Sequence, residues 1–451
     1  MGPAASGRPA GPGPRRAPRP AGAPAGPGAG GGRARGRARA RAAAAAAPLE
    51  GLELDYRPEL SGAQRAGTVA AGVAAGAAAY AWARQAPVLG AVCALVAAPL
   101  ASIAVQTFLL ERYHRRALRR AEEVADLDSE FGAFGGVTVH YKTCGAGDSG
   151  AGGEAAAAAA GRRYALHFWH GFGANTFSWA RVMPRLAEVL GAVCSAHDAP
   201  GFGLTVRPAS VEAYTLENNG EVGLGVLDAV ARRAGGAPKR VFVGHSMGGL
   251  TAAKMAAKHP EACAGLVLVG PAIVAANGAS HGFRRAVARA AFRAAFLLVY
   301  PLTLLLRPFL LIPVRGLVRS LRFWYNGLGF AYADQGKVDR VLVDNYRRAK
   351  TVIDWDFGLL QFVLAQFKAA AEDAGEEDLV PRLDRAASEH GFPILILHGA
   401  EDRIVPASNS RALARALDCE LAVFPTCGHQ PQEELPEEFV DAVADWLRRR
   451  V

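Results

Sequence analysis

Closely spaced cysteine pairs are absent from this 451-residue chain. The six cysteines (Cys93, Cys144, Cys194, Cys263, Cys419 and Cys427) include no CxxC. That argues against a zinc module or a disulfide framework. It leaves the thiols as small buried hydrophobes in a reducing compartment. Acidic residues are missing from residues 1–49, a stretch of Ala, Gly and Pro with nine arginines. With almost no large apolar side chain, this leader is expected to be disordered. Its arginines and lack of acids match an organelle transit peptide. Its single hydroxyl residue, Ser6, fits equally a compositionally biased tail. The net charge is +10, and nine of those charges belong to the leader. The body is therefore near neutral, and no basic groove for nucleic acid is implied.

Charge is also missing from Ala86–Leu110, whose 25 residues include Val88, Leu95, Ile103 and Phe108. About 20 apolar residues span a hydrocarbon core. A basic, aromatic flank follows at Glu111–Arg116, as at a membrane interface. Residues 67–126 are thus expected to be an apolar helical segment serving as a membrane anchor. From Phe131 the texture changes to short β-rich runs alternating with helical stretches. Val137–Tyr141, Tyr164–Trp169, Ala192–His197, Arg240–Gly244, Ala264–Val269, Pro393–His398 and Glu420–Phe424 read as strands. Helical patterns lie at Leu216–Arg233, Gly248–His259, Ser408–Leu417 and Pro436–Arg449. The alternation implies an α/β fold with a mostly parallel sheet covered on both faces. Cys144–Arg163 reads as a solvated insertion. Residues 277–382 interrupt the alternation and are expected to form a helical lid between the catalytic segments 130–276 and 383–451.

Four loops carry the chemistry. Gly244-His245-Ser246-Met247-Gly248-Gly249 links the strand Val241–Val243 to a helix. A serine in so sharp a turn needs tiny neighbours, and the Met247 N–H then faces a developing oxyanion. His170-Gly171-Phe172-Gly173 leaves another strand, and the Phe172 N–H is the expected second oxyanion donor. His170, Gly171, Gly173 and His245 are assigned to substrate binding. Asp402 follows the strand at 394–397 and is the expected partner of a histidine, with adjacent Glu401 as the alternative. His429 lies in the loop after the last strand, completing the order Ser…Asp…His. The turn Asp198–Gly203 is read as structural, shaping the pocket wall.

Together, His170–Gly173, Asp198–Gly203, Gly244–Gly249, His398–Pro406 and Gly428–Pro431 resemble the α/β-hydrolase superfamily over roughly 137–449. The resemblance implies an eight-stranded sheet and a two-step acyl transfer. Ser246 would attack a carbonyl, His429 would move the proton, and Asp402 would fix the imidazole. No metal or cofactor is implied. Aspartate replaces serine at this turn in epoxide and haloalkane hydrolases, so those lineages are set aside. His170–Asn175, Phe177-Ser178-Trp179 and Arg403–Pro406 resemble membrane-associated hydrolases of plants and algae. That likeness implies an intracellular organelle membrane, in the chloroplast rather than the mitochondrion.

Within the lid, Arg285, Arg289 and Arg293 form a helical stripe, and Arg315, Arg319 and Arg322 form a second basic set. Basic amphipathic helices with aromatics suit a membrane surface. Between the two sets, Ala294–Leu306 is broken by Pro301 and too short to span a bilayer. The expected substrate is accordingly a small apolar or lipid-like ester. Two other readings use the same fold: a ligand-binding, receptor-like protein, and a carbon–carbon bond hydrolase or acyltransferase.

Overall fold

The computed structural model describes residues 116–145, 163–235, 238–274, 282–372 and 378–451, with Val105, Arg112 and His114 before them. The leader, most of the apolar segment 67–126 and most of the Cys144–Arg163 insertion lie outside the described residues. Eight strands form one sheet: β1 (Ser129–Phe134), β2 (Val137–Cys144), β3 (Tyr164–Trp169), β4 (Val193–His197), β5 (Lys239–His245), β6 (Gly265–Val269), β7 (Ile394–Gly399) and β8 (Glu420–Phe424). Their spatial order is β1-β2-β4-β3-β5-β6-β7-β8. The pairs β1–β2 and β2–β4 are antiparallel and the other five pairs are parallel.

The central strands are buried on both faces, so their side chains divide between two cores with period two. Ala165, Trp169, Phe242, Leu266, Leu268 and Ile396 enter one core. Tyr164, Leu166, Phe168, Val241, Val243, Val267 and Leu397 enter the other. Helices α1 (Met183–Leu190), α2 (Leu216–Ala234) and α3 (Met247–Lys258) follow β3, β4 and β5. Leu186 of α1 packs in the second core, whereas Val226 of α2 and Ala253 of α3 pack in the first. Thr215 caps α2 by accepting from the Asn218 N–H at 3.1 Å, satisfying an N–H the helix leaves without an acceptor.

Strand β1 goes beyond the sequence reading. Glu130 and Gly132 alternate with Phe131 and Ala133, but the run is short and poor in large apolar side chains. The Gly135-Gly136 pair that joins it to β2 has φ of +56° and +75°, as a two-residue hairpin requires.

Between β6 and β7 the chain runs through α4 (Gly282–Arg319), α5 (Leu321–Ala331), α6 (Arg340–Arg347) and α7 (Trp355–Glu372). The helix passes Pro301, where a break is expected from sequence, and bends instead by 70° between Val299–Arg307 and Phe309–Arg319. Pro308 at that junction lacks the N–H of a continuing helix. Among the described residues no single helix is long and apolar enough to cross a membrane. Arg315 also departs from its expected place on a basic surface. It is buried, and its Nε donates to Asp356 Oδ2 at 2.5 Å. Helix α8 (Leu379–His390) straddles the boundary expected at 382/383 and returns to the sheet, with Leu383 and Ala386 in the first core. Helices α9 (Ala407–Ala416), α10 (Pro431–Glu434) and α11 (Pro436–Arg450) complete the chain, and Phe439, Val443 and Trp446 of α11 seal the second core.

Candidate active site

Strand register collects four loops at one sheet edge. Trp169 pairs with Gly244, His245 with Val269, Val269 with Leu397, and Gly399 with Phe424. The loops that leave β3, β5, β7 and β8 are therefore neighbours.

The turn after β5 is strained. Ser246 has φ of +53° and ψ of −115°, a conformation L-residues rarely adopt. Its neighbours are glycines because the space is occupied: a Cβ on Gly244 would lie 2.2 Å from the Gly248 oxygen, and one on Gly248 would lie 2.1 Å from the Trp169 oxygen. Met247 is the first residue of α3, where the opening N–H groups have no acceptor within the helix. Its side chain packs with Phe202 and Phe362.

His429 and Asp402 meet directly, with Nδ1 and Oδ2 2.7 Å apart. The other oxygen, Oδ1, accepts from the N–H groups of Ile404 at 2.8 Å and Val405 at 2.9 Å. The His398 Nε2 lies 3.1 Å from Oδ2 and donates to the Val405 carbonyl at 2.9 Å. Burial alone would raise the Asp402 carboxyl, but His398, His429 and the Val405 N–H outweigh it and hold the group well below the usual carboxylate range. It is an anion at any working pH. Glu401, the sequence alternative, is exposed. His398 had no role assigned from sequence, although it ends the strand that delivers Asp402.

His245 ties the two halves together. Its Nε2 donates to the His429 carbonyl at 2.8 Å, and the two rings lie 4.7 Å apart. Burial, followed by the neighbouring His429, pushes the His245 imidazole well below its usual value, so it stays neutral. The Cβ of a residue replacing Gly171 would lie 2.9 Å from His245 Nδ1 and 3.2 Å from the Ser246 Cβ, so the loop after β3 passes close over the elbow.

A cavity of about 370 Å³ opens over these groups. Ser246, His245, His429, Gly171, Phe172 and Gly173 line it, with Phe202, Phe323, Trp324, Leu328 and Ile404 supplying apolar walls. His170 is not among the lining residues, contrary to its expected part in substrate binding. Its Nε2 accepts from the Ala199 N–H at 2.9 Å and its Nδ1 donates to the Gly171 oxygen at 2.7 Å. Both ring nitrogens are thus spent on holding the loops after β3 and β4. Asp198 is buried, as its structural reading requires. It accepts from the N–H groups of Thr176 and Leu204 and bonds the His140 ring, each at 2.7 Å.

The His429 loop is clamped to the inserted helices. The His429 N–H donates to the Ala331 oxygen at 2.6 Å. Glu434 accepts from the N–H groups of Gly428 and Ala333, each at 2.8 Å. Glu433 receives the hydroxyls of Tyr332 at 2.5 Å and Tyr346 at 2.6 Å. Burial pushes the Glu433 carboxyl up to about 7, against the hydrogen bonds from the two tyrosines. An acid raised on folding keeps its proton in the native state while the unfolded chain loses it. That contribution is full below the unfolded value near 4.5 and is lost as pH rises towards 7. The stability of the wild type relative to Glu433→Gln is therefore expected to fall by up to about 3 kcal/mol between pH 4.5 and 7. Denaturant titrations at several pH values check this. The comparison cancels the opposite slope of His197, which burial lowers to about 4. A parallel pH dependence in the two proteins would contradict the assignment.

The sequence profile of the alpha/beta hydrolase fold matches residues 164–436, more than half of the chain. Among curated proteins, 2-hydroxymuconate semialdehyde hydrolase of Pseudomonas sp. (strain CF600) is 28 % identical over 300 residues, covering 64 % of this chain and 88 % of that protein. The 2-hydroxy-6-oxo-6-phenylhexa-2,4-dienoate hydrolase of Comamonas testosteroni is 26 % identical over 300 residues, covering 64 % and 90 %. Among solved structures, a meta-cleavage product hydrolase from Pseudomonas fluorescens IP01 is 21 % identical, with a TM-score of 0.47, covering 71 % of this chain and 97 % of that one.

Proposed function

The chain belongs to the α/β-hydrolase fold family, and from that premise we propose that it is a serine hydrolase cleaving a carboxylic ester of apolar, lipid-like character. The observation that carries this reading is a serine on a strained turn sharing an apolar cavity with a histidine bonded to a buried carboxylate. In the proposed cycle His429 takes the Ser246 proton as Oγ attacks the ester carbonyl. The N–H groups of Phe172 and Met247 hold the oxyanion, which is typically worth about 2.7–4 kcal/mol per donor. His429 then protonates the leaving alcohol and activates the water that releases the acid. Helices α4–α7 act as the lid, supplying Phe323, Trp324 and Leu328 to the cavity wall.

Leu297, Leu302, Leu305 and Leu310 of α4 are exposed, which supports contact of this helix with a membrane surface. A second reading, carbon–carbon bond hydrolysis by the same three residues, is favoured by the names of the two curated relatives. One experiment separates the readings. p-Nitrophenyl esters from acetate to dodecanoate are assayed with and without anionic vesicles, beside 2-hydroxymuconate semialdehyde. The first reading expects kcat/KM to rise at least about tenfold from acetate to octanoate, since each buried methylene contributes about 0.8 kcal/mol. It also expects vesicles to raise rates on the long esters. Consumption of the semialdehyde without ester cleavage would replace the first reading by the second, and no gain from vesicles would remove the membrane contact.

A further inference from the structure

Among its described lining residues, the cavity over Ser246 has two cations and no carboxylate. Arg207 comes from the loop after β4, and Lys350 from the turn between α6 and α7. Both are buried, 9 % and 8 % exposed. The Arg207 guanidinium is held by backbone oxygens: one Nη donates to Thr205 at 2.5 Å and the other to Gly203 at 2.6 Å. Its Nε is buried and has no hydrogen-bond partner among the described residues. Burial, only partly offset by Tyr214, Asp198, Asp354 and Asp356, lowers its pKa to about 10, so it is charged at neutral pH. Two of those acids are already engaged, Asp198 with His140 and Asp356 with Arg315. A charge withdrawn from water and only partly offset by these neighbours is incompletely compensated, so the cavity is complementary to an anion.

We propose that the substrate carries, besides its reacting ester, an anionic group of carboxylate or phosphate type that Arg207 and Lys350 recognise. The inference rests on the ester-hydrolase reading and narrows it from a neutral lipid-like ester to an amphiphilic one. Apolar walls take the chain, and Arg207, whose planar fork suits an oxyanion, takes the charged group.

Three p-nitrophenyl esters of equal chain length test it: octanoate, the monoester of octanedioate, and an octanoate ending in phosphonate. At low salt at least one anionic ester is expected to exceed the neutral one in kcat/KM by about tenfold, a difference of about 1.4 kcal/mol carried mainly by KM. The ester with the larger gain identifies the anion. Arg207→Gln is expected to bring the anionic-to-neutral ratio close to one. Because Arg207 also holds two carbonyls, Lys350→Met serves as an independent arm and is expected to lower the same ratio. A wild-type ratio near one for both anions, or a ratio unchanged in both variants, overturns the proposal and leaves the ester reading standing. Turnover of none of the three esters overturns both.

Discussion

Alanine at position 246 is expected to leave a folded protein whose kcat on its best ester is lower by about a million-fold. The loss is that large because the hydroxyl is the atom that forms the acyl-enzyme, and the residual rate comes from binding and oxyanion stabilisation alone. The substitution is mild for the fold. It keeps the Cβ that already sits beneath Gly171, and it leaves the close packing of Gly244 on Gly248 untouched. Labelling by a fluorophosphonate, with thermal melting as the control for folding, reads the outcome directly. Undiminished labelling of the Ser246→Ala protein would place the reactive group elsewhere and end the case for Ser246.

Asp402→Asn is expected to cost about ten-thousand-fold in kcat, as such a change does in other triad hydrolases. The local hydrogen bonds explain why. The asparagine oxygen can go on accepting from the N–H groups of Ile404 and Val405, which the Asp402 Oδ1 does here. Its NH2 then takes the place of Oδ2, facing the His429 Nδ1. It also faces His398 Nε2, itself a donor to the Val405 carbonyl. Donor would confront donor, so His429 must place its proton on Nε2, the nitrogen that has to receive the serine proton. Retention of more than about a tenth of the wild-type kcat, in a protein that melts normally, would show that Asp402 does not set the imidazole tautomer.

Sequence carries the sheet well where the physics is local. The parallel strands announce themselves as short runs buried on both faces, such as Val241–Val243 and Leu266–Val269. The elbow is announced by glycines whose Cβ atoms would collide with backbone. Strand β1 is less legible because its run is short and holds few large apolar side chains, leaving the Gly-Gly turn as its clearest signal. The choice between Glu401 and Asp402 lies beyond spacing, since the two are adjacent. It depends on which carboxylate the turn at Ile404 and Val405 captures. Arg315 misleads because helical periodicity reports a stripe but not which way it faces, and Asp356 draws this arginine inward. His170 misleads for a related reason: its position beside the oxyanion loop is legible, but the two backbone groups that occupy its ring are not. That Arg207 and Lys350 line one cavity is set by tertiary folding alone.

The clamp between the His429 loop and the inserted helices bears on how this scaffold tolerates rebuilding. Ala331 receives the His429 N–H, and two tyrosines of the insertion hold Glu433. The segment between β6 and β7 is thus not an interchangeable cover. A chimera carrying another hydrolase's helices there would inherit a complete sheet and all three reacting side chains. Its His429 backbone would nevertheless keep a partner only where the new helices placed a carbonyl at the position of Ala331. Grafts meant to change specificity would have to carry over Ala331, Tyr332 and Tyr346 as part of the catalytic base.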